Sequence, residues 1–172
     1  MRISSQESLD ELLREGSSPP ERLDIRCRYQ NITFREGHST IIASFPLERL
    51  VLNFPEACWQ GNSKSILFKG ILQSTTIKHL ELICIFPVHS FKWFVFKTPI
   101  SRTLEYLYLR EIKLSRDELV CLKGGLKVNV KLHTLAIQRC EVLDSYSLNS
   151  LVIGLGRFRL EESLFFANRL MQ

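Results

Sequence analysis

Apolar positions along this chain alternate between two periods. The pattern is clearest over residues 103–130, TLEYLYLREIKLSRDELVCLKGGLKVNV. Leu104, Leu107 and Leu109 make an L-x-x-L-x-L phrase, followed by Ile112 and Leu114. The period of two inside the phrase predicts a strand whose fourth and sixth positions point to one face. Ser115 and Glu118 then form an S-x-x-E capping box ahead of Leu119, Leu122 and Leu126, which recur at helical spacing. A short strand and a helix in about 28 residues make one unit of a repeating architecture.

The same unit recurs on both sides. Its first anchors are Pro20 (degenerate), Leu47, Ile77, Leu104 and Leu132, at intervals of 27, 30, 27 and 28. Leu23 and Ile25, Leu50 and Leu52, Leu80 and Leu82, and Leu135 and Ile137 fill the fourth and sixth places of the other phrases. Five occurrences at a nearly constant period are far more specific than one such phrase. Helical sets fall between them: Ile66, Leu67, Ile71 and Leu72 over 63–72, and Leu148, Leu151, Val152 and Leu155 over 145–155 with Asp144 as N-cap. At the start, Ser4 and Glu7 frame another capping box before Leu9, Leu12 and Leu13, and Gly16 suits a helix end. Segment 4–16 is therefore expected to be a helix capping the open end of the core. Two stretches fit less well: Gly37 argues against a long helix in 33–45, and the aromatic stretch 86–100 reads as an irregular turn or an extra strand. Beyond Leu132, one more period reaches Leu160, with Ser163 and Phe165 in the leucine places. A sixth strand near Ser163 is expected there, with a helix through Leu160, Leu164, Ala167 and Met171 as the competing reading.

These phrases and their period resemble the ribonuclease-inhibitor-like leucine-rich repeat family. The resemblance implies an α/β solenoid, a horseshoe fragment with a parallel sheet on its concave face and helices on its convex face. It spans residues 20–155 as about five repeats. Residues 156–172 would form a cap or a partial sixth repeat, all within a single domain, 1–172. The family carries Asn or Cys at the ninth phrase position, where its side chain bonds the loop backbone. Here only Cys140 matches, against Arg28, Pro55, Ile85 and Ile112. Members of the family are usually non-catalytic binding scaffolds, so the resemblance implies a macromolecular partner.

The geometry of such a repeat predicts where that partner sits. Strands pack about 4.8 Å apart and helices about 10 Å apart, so the helix side splays and the sheet side becomes concave. Positions two, three, five and seven of each phrase are expected to line the concavity. Arg22, Arg26, Arg49, Lys78 and Arg110 stand there against Glu21, Asp24, Glu48, Glu81 and Glu105, a neutral balance that disfavours nucleic acid on this face. Tyr106, Tyr108 and Arg110 are the cluster richest in hot-spot residue types. Alanine at these three outward-facing positions is expected to weaken a partner and leave stability nearly unchanged, and Arg49, His79, Glu81, His133 and Gln138 complete the expected partner-binding set.

Composition adds few constraints. The 172 residues are 45% apolar and 24% charged, ordinary for a globular domain able to bury a core. Five cysteines, at 27, 58, 84, 121 and 140, include no C-x-x-C pair, so they read as reduced thiols in a cytoplasmic or nuclear setting. A secreted host-directed effector stays open. No apolar run reaches the roughly 18 residues of a membrane span. His79 and His133 are too far apart to share a metal, and Gly124-Gly125 lacks the flanking pattern of a phosphate loop. Neither catalytic residues nor a metal or cofactor is expected. The reading is a non-enzymatic protein-interaction scaffold binding another protein through the concave face. The alternative is an RNA or acidic-surface binder using the net charge of +5 from residues outside that face. Self-association through the C-terminal edge is also expected unless that segment folds back as a cap.

Overall fold

A computed structural model describes residues 1–14, 18–26, 32–55, 60–84, 99–129, 131–142 and 159–165. It is an α/β structure built on one sheet, all of whose pairings are parallel. The strands are β1 (Arg2–Ile3), β2 (Arg22–Arg26), β3 (Arg49–Asn53), β4 (His79–Ile83), β5 (Tyr106–Arg110), β6 (Lys113–Leu114), β7 (Thr134–Val142) and β8 (Arg159–Phe165). From β1 to β5 each strand pairs with the next in sequence, and β7 then pairs with β5, β6 and β8. The helices are α1 (Gln6–Leu12), α2 (Glu36–Ser44), α3 (Ser63–Gln73) and α4 (Arg116–Val128), with a 3₁₀ turn at Pro99–Arg102.

Register explains why the leucine phrases pair as they do. Leu23, Leu50, Leu80, Leu107 and Leu135 align across the sheet, as do Ile25, Leu52, Leu82, Leu109 and Ile137. All ten side chains are buried, and so are the first anchors Leu47, Ile77, Leu104 and Leu132. A slip of one residue would turn every one of them to the opposite face. They share one core with Leu9 and Leu12 of α1, Ile66, Leu67 and Ile71 of α3, and Leu119 and Leu122 of α4.

The backbone repeats as strictly as the side chains. At each strand entry one carbonyl accepts two N–H groups from the next phrase: Glu21 from Glu48 and Arg49, Glu48 from Lys78 and His79, Lys78 from Glu105 and Tyr106, Glu105 from His133 and Thr134. At the exit, Phe54, Cys84 and Glu111 donate to Ile83, Arg110 and Gln138. Cys84, Glu111 and Arg139 hold φ of 55°, 55° and 49° at the same phrase position, the eighth. Three non-glycine residues in the left-handed region at one phrase position mark a bend shared by these three units, while Phe54 at the same place after β3 is not in that region.

Several expectations are corrected. Segment 33–45 does form the nine-residue helix α2, because Gly37 sits in its first turn rather than its middle. The α1 capping box uses Ser5 and Ser8, one residue beyond the expected Ser4 and Glu7. The displacement follows from β1, an unexpected strand whose Arg2 and Ile3 pair with Asp24 and Ile25 and carry extended backbone into Ser5. The last strand exists but starts at Arg159, and Leu160 pairs with Leu135 instead of matching Leu132. That places Glu162 opposite Ile137, three residues out of the expected frame. The Ser115–Glu118 box forms as expected, with Ser115 N–H donating to Glu118 Oε2 at 2.7 Å. The expected helix 145–155 and residues 86–98 lie outside the described residues.

Candidate functional site

On the side of the sheet away from the core, parallel register arranges residues in rows. The first row runs Arg22, Arg49, His79, Tyr106, Thr134, and the second runs Asp24, Val51, Glu81, Tyr108, Ala136. The third runs Arg26, Asn53, Ile83, Arg110, Gln138. This face brings together most of the residues singled out from the sequence.

An aromatic group occupies β4, β5 and the entry to β7. The His79 ring stacks with Tyr106 at 5.3 Å between centroids and with Tyr108 at 4.9 Å. The His133 ring meets Tyr106 edge-on at 4.5 Å. Burial, with a smaller contribution from the Arg49 charge, pushes the His79 pKa below its ordinary value and keeps the ring neutral near pH 7. Beside it, Arg49 pairs with Glu81 at 3.6 Å. His133 Nε2 lies 4.0 Å from Glu105 Oε2.

Arg110 and Gln138 are paired across β5 and β7 but stand one row away from the rings. Arg110 Nε is 3.3 Å from Glu111 Oε1, at an angle too poor for a hydrogen bond, so this contact is a charge pair only. Glu111 is shared further, with Arg139 at 3.7 Å and with the Cys84 thiol, which donates to Oε2 at 3.2 Å. Burial and then that carboxylate raise the Cys84 pKa to about 11, so it stays a thiol.

Two sequence expectations about this face change. Tyr106, Tyr108 and Arg110 do not project freely: each is half-buried by its neighbours in the rows. Val51, Ile83 and Ala136, expected to line the face in solvent, are buried outright. The second change concerns charge. Four of the position-two residues, Glu21, Glu48, Lys78 and Glu105, precede the strands and line a separate groove of about 520 Å³ with Pro19 and Pro46, while the fifth, His133, leans onto Tyr106. Without them the described side chains of the face number five cations (Arg2, Arg22, Arg26, Arg49, Arg110) against two carboxylates (Asp24, Glu81). The expected neutrality came from merging two surfaces.

Sequence reasoning missed Arg2, and it did not single out Arg22 or Arg26. The R-x-D-x-R spacing of 22, 24 and 26 was a usable signal, because period two puts all three on one side. Arg2 could be placed only by recognising a two-residue strand before α1. Among the described residues no cluster of three His, Cys, Asp or Glu side chains is set to hold a metal, and no helix is long and apolar enough to cross a membrane. No protein-family model, curated protein or solved structure matches the chain.

Proposed function

We propose that this chain is a leucine-rich-repeat solenoid of the ribonuclease-inhibitor-like type that binds another protein through the outer face of its parallel sheet, without catalysing a reaction. Support for the repeat comes from recurrence at several levels: the phrase, the doubled hydrogen bond at strand entry, and, in three units, the left-handed residue at the eighth phrase position. Cys140 adds a particular point. Its buried thiol lies within hydrogen-bonding reach of the strand carbonyls of Leu109 at 3.5 Å and Gln138 at 3.4 Å, so the one residue that matches the family at the ninth position is turned into the core.

The observation that carries the binding reading is the aromatic group of His79, Tyr106, Tyr108 and His133 on the side of the sheet opposite the core. Tyrosine and histidine rings fixed by mutual stacking offer apolar area with polar tips, and little entropy is lost when a partner covers them. Affinity capture tests it with three forms: wild type, Tyr106→Ala/Tyr108→Ala, and a helix-side control, Lys69→Ala. Proteins retained by wild type and the control but lost from the tyrosine variant are the expected outcome. Equal recovery by all three forms would move binding off the sheet.

A further inference from the structure

The sheet face is electrically divided. Around β1, β2 and β3 a depression of about 400 Å³ is lined by Arg2, Arg22, Arg26 and Arg49, with Val51 among its lining residues. Two carboxylates share it, and both are already engaged. Asp24 accepts two hydrogen bonds from Arg26 Nε, at 2.8 and 2.9 Å, and Glu81 holds Arg49. Arg2 and Arg22 are exposed, and among the described residues neither makes a carboxylate ion pair within 4.0 Å; Arg22 acts on Glu48 only through space. Moreover, Arg22 and Arg49 are direct register partners on adjacent strands. Like charges directly opposite each other on adjacent strands repel, and a bound anion relieves that repulsion.

We infer that this depression receives an acidic segment of a partner protein, with carboxylates seated on Arg2 and Arg22 and the next residues running onto the aromatic group. The inference rests on the scaffold reading above and specifies its partner. Guanidinium forks match carboxylates in a bidentate way that a lysine cannot reproduce. The first row continues from Arg22 and Arg49 directly to His79 and Tyr106, so a chain crossing the strands meets charge first and rings second. An apolar or aromatic residue a few positions after the acidic ones completes the match.

A single-stranded RNA fits the same surface less well. Its bases need free ring faces, whereas the His79 ring is already stacked with two tyrosines.

Fluorescence anisotropy with purified full-length protein tests this. The probes are a labelled oligoglutamate peptide ending in tryptophan and an oligouridylate of equal charge. Wild type is expected to bind the peptide saturably and more tightly than the oligouridylate. Arg2→Gln/Arg22→Gln should weaken the peptide by about tenfold or more, as expected for losing charge-assisted contacts. Arg2→Lys/Arg22→Lys should fall between the two, and thermal melts should confirm that all forms are folded. Tighter binding of the oligouridylate would overturn the inference in favour of nucleic acid. So would absence of peptide binding by wild type, or equal binding by the folded glutamine variant. The two readings fail separately: proteins captured through Tyr106 and Tyr108 but indifferent to Arg2 and Arg22 would leave the scaffold standing without its acidic partner.

Discussion

Two glycines show how position decides the effect of one methyl group. A Cβ on Gly70 of α3 would lie 2.6 Å from the Ser39 carbonyl oxygen and 3.1 Å from Ile42 Cβ, both on α2. Gly37, in the first turn of α2, has nothing within 4 Å of that point. Helix propensity favours alanine over glycine by about 1 kcal/mol at either site. At Gly70 the backbone clash outweighs it, and Gly70→Ala is expected to destabilise by about 1–3 kcal/mol, lowering Tm by about 2–4 °C per kcal/mol. Gly37→Ala should instead raise Tm slightly. Equal shifts for the two variants in a thermal melt would mean that α2 and α3 do not approach at Gly70. The core makes the sharper statement. Leu109 is fully enclosed between aligned Leu82 and Ile137, so Leu109→Asp should cost several kcal/mol, enough to unfold a domain of ordinary stability. Unchanged circular dichroism and Tm would refute the register. The leucine positions were legible in the sequence because period two leaves no other face for them. The burial of Val51, Ile83 and Ala136 was not, since it depends on neighbours one strand away.

Individual elements are held by devices that recur with the repeat. Gln6, Thr33 and Gln60 stand 27 residues apart and are bonded in sequence. Thr33 N–H donates to Gln6 Oε1 at 2.7 Å, and Thr33 Oγ1 donates to Gln60 Oε1 at 3.1 Å. This ladder ties the connection before α2 to its neighbours, and no hydrophobic pattern announces it. The left-handed bend at Cys84, Glu111 and Arg139 is a second device. Arg139 holds a left-handed φ with its side chain exposed, so Arg139→Gly should be neutral or stabilising even though an exposed ion pair to Glu111 is lost. Arg139→Val should cost about 1–2 kcal/mol, because a β-branched residue resists that conformation. Chemical denaturation of the two variants checks the bend, and a stabilising valine would contradict it. The capping box at α4 was legible because Ser115 and Glu118 lie in frame with the following leucines. The α1 box was misplaced by one residue because β1, two residues long, is too short to show a period.

For the whole molecule, pH is a lever with a definite sign. Burial lowers the pKa of both His38 and His79 below the ordinary 6.5. The unfolded chain therefore binds protons between that value and the lower folded ones, while the folded chain does not. Stability should fall as pH drops below about 6.5 and level off once the folded histidines titrate. Melts at pH 7.5 and 5.5 should show the lower Tm at the lower pH, with a smaller difference for His79→Gln. The parallel sheet and its sequential strand order were legible from the constant period. The division of its face was not, because linear order mixes position-two glutamates with strand residues that the fold separates. That division underlies the proposal of an acidic partner, whereas the central proposal, that a protein is bound on the sheet face, rests on the aromatic group. Site-specific photo-crosslinking tests it most directly, with benzoylphenylalanine placed either at Tyr108 on the face or at Val120, which is 59% exposed on α4. A protein adduct from position 108 and none from position 120 is the predicted result. Adducts from position 120 alone would contradict it and assign recognition to the helices.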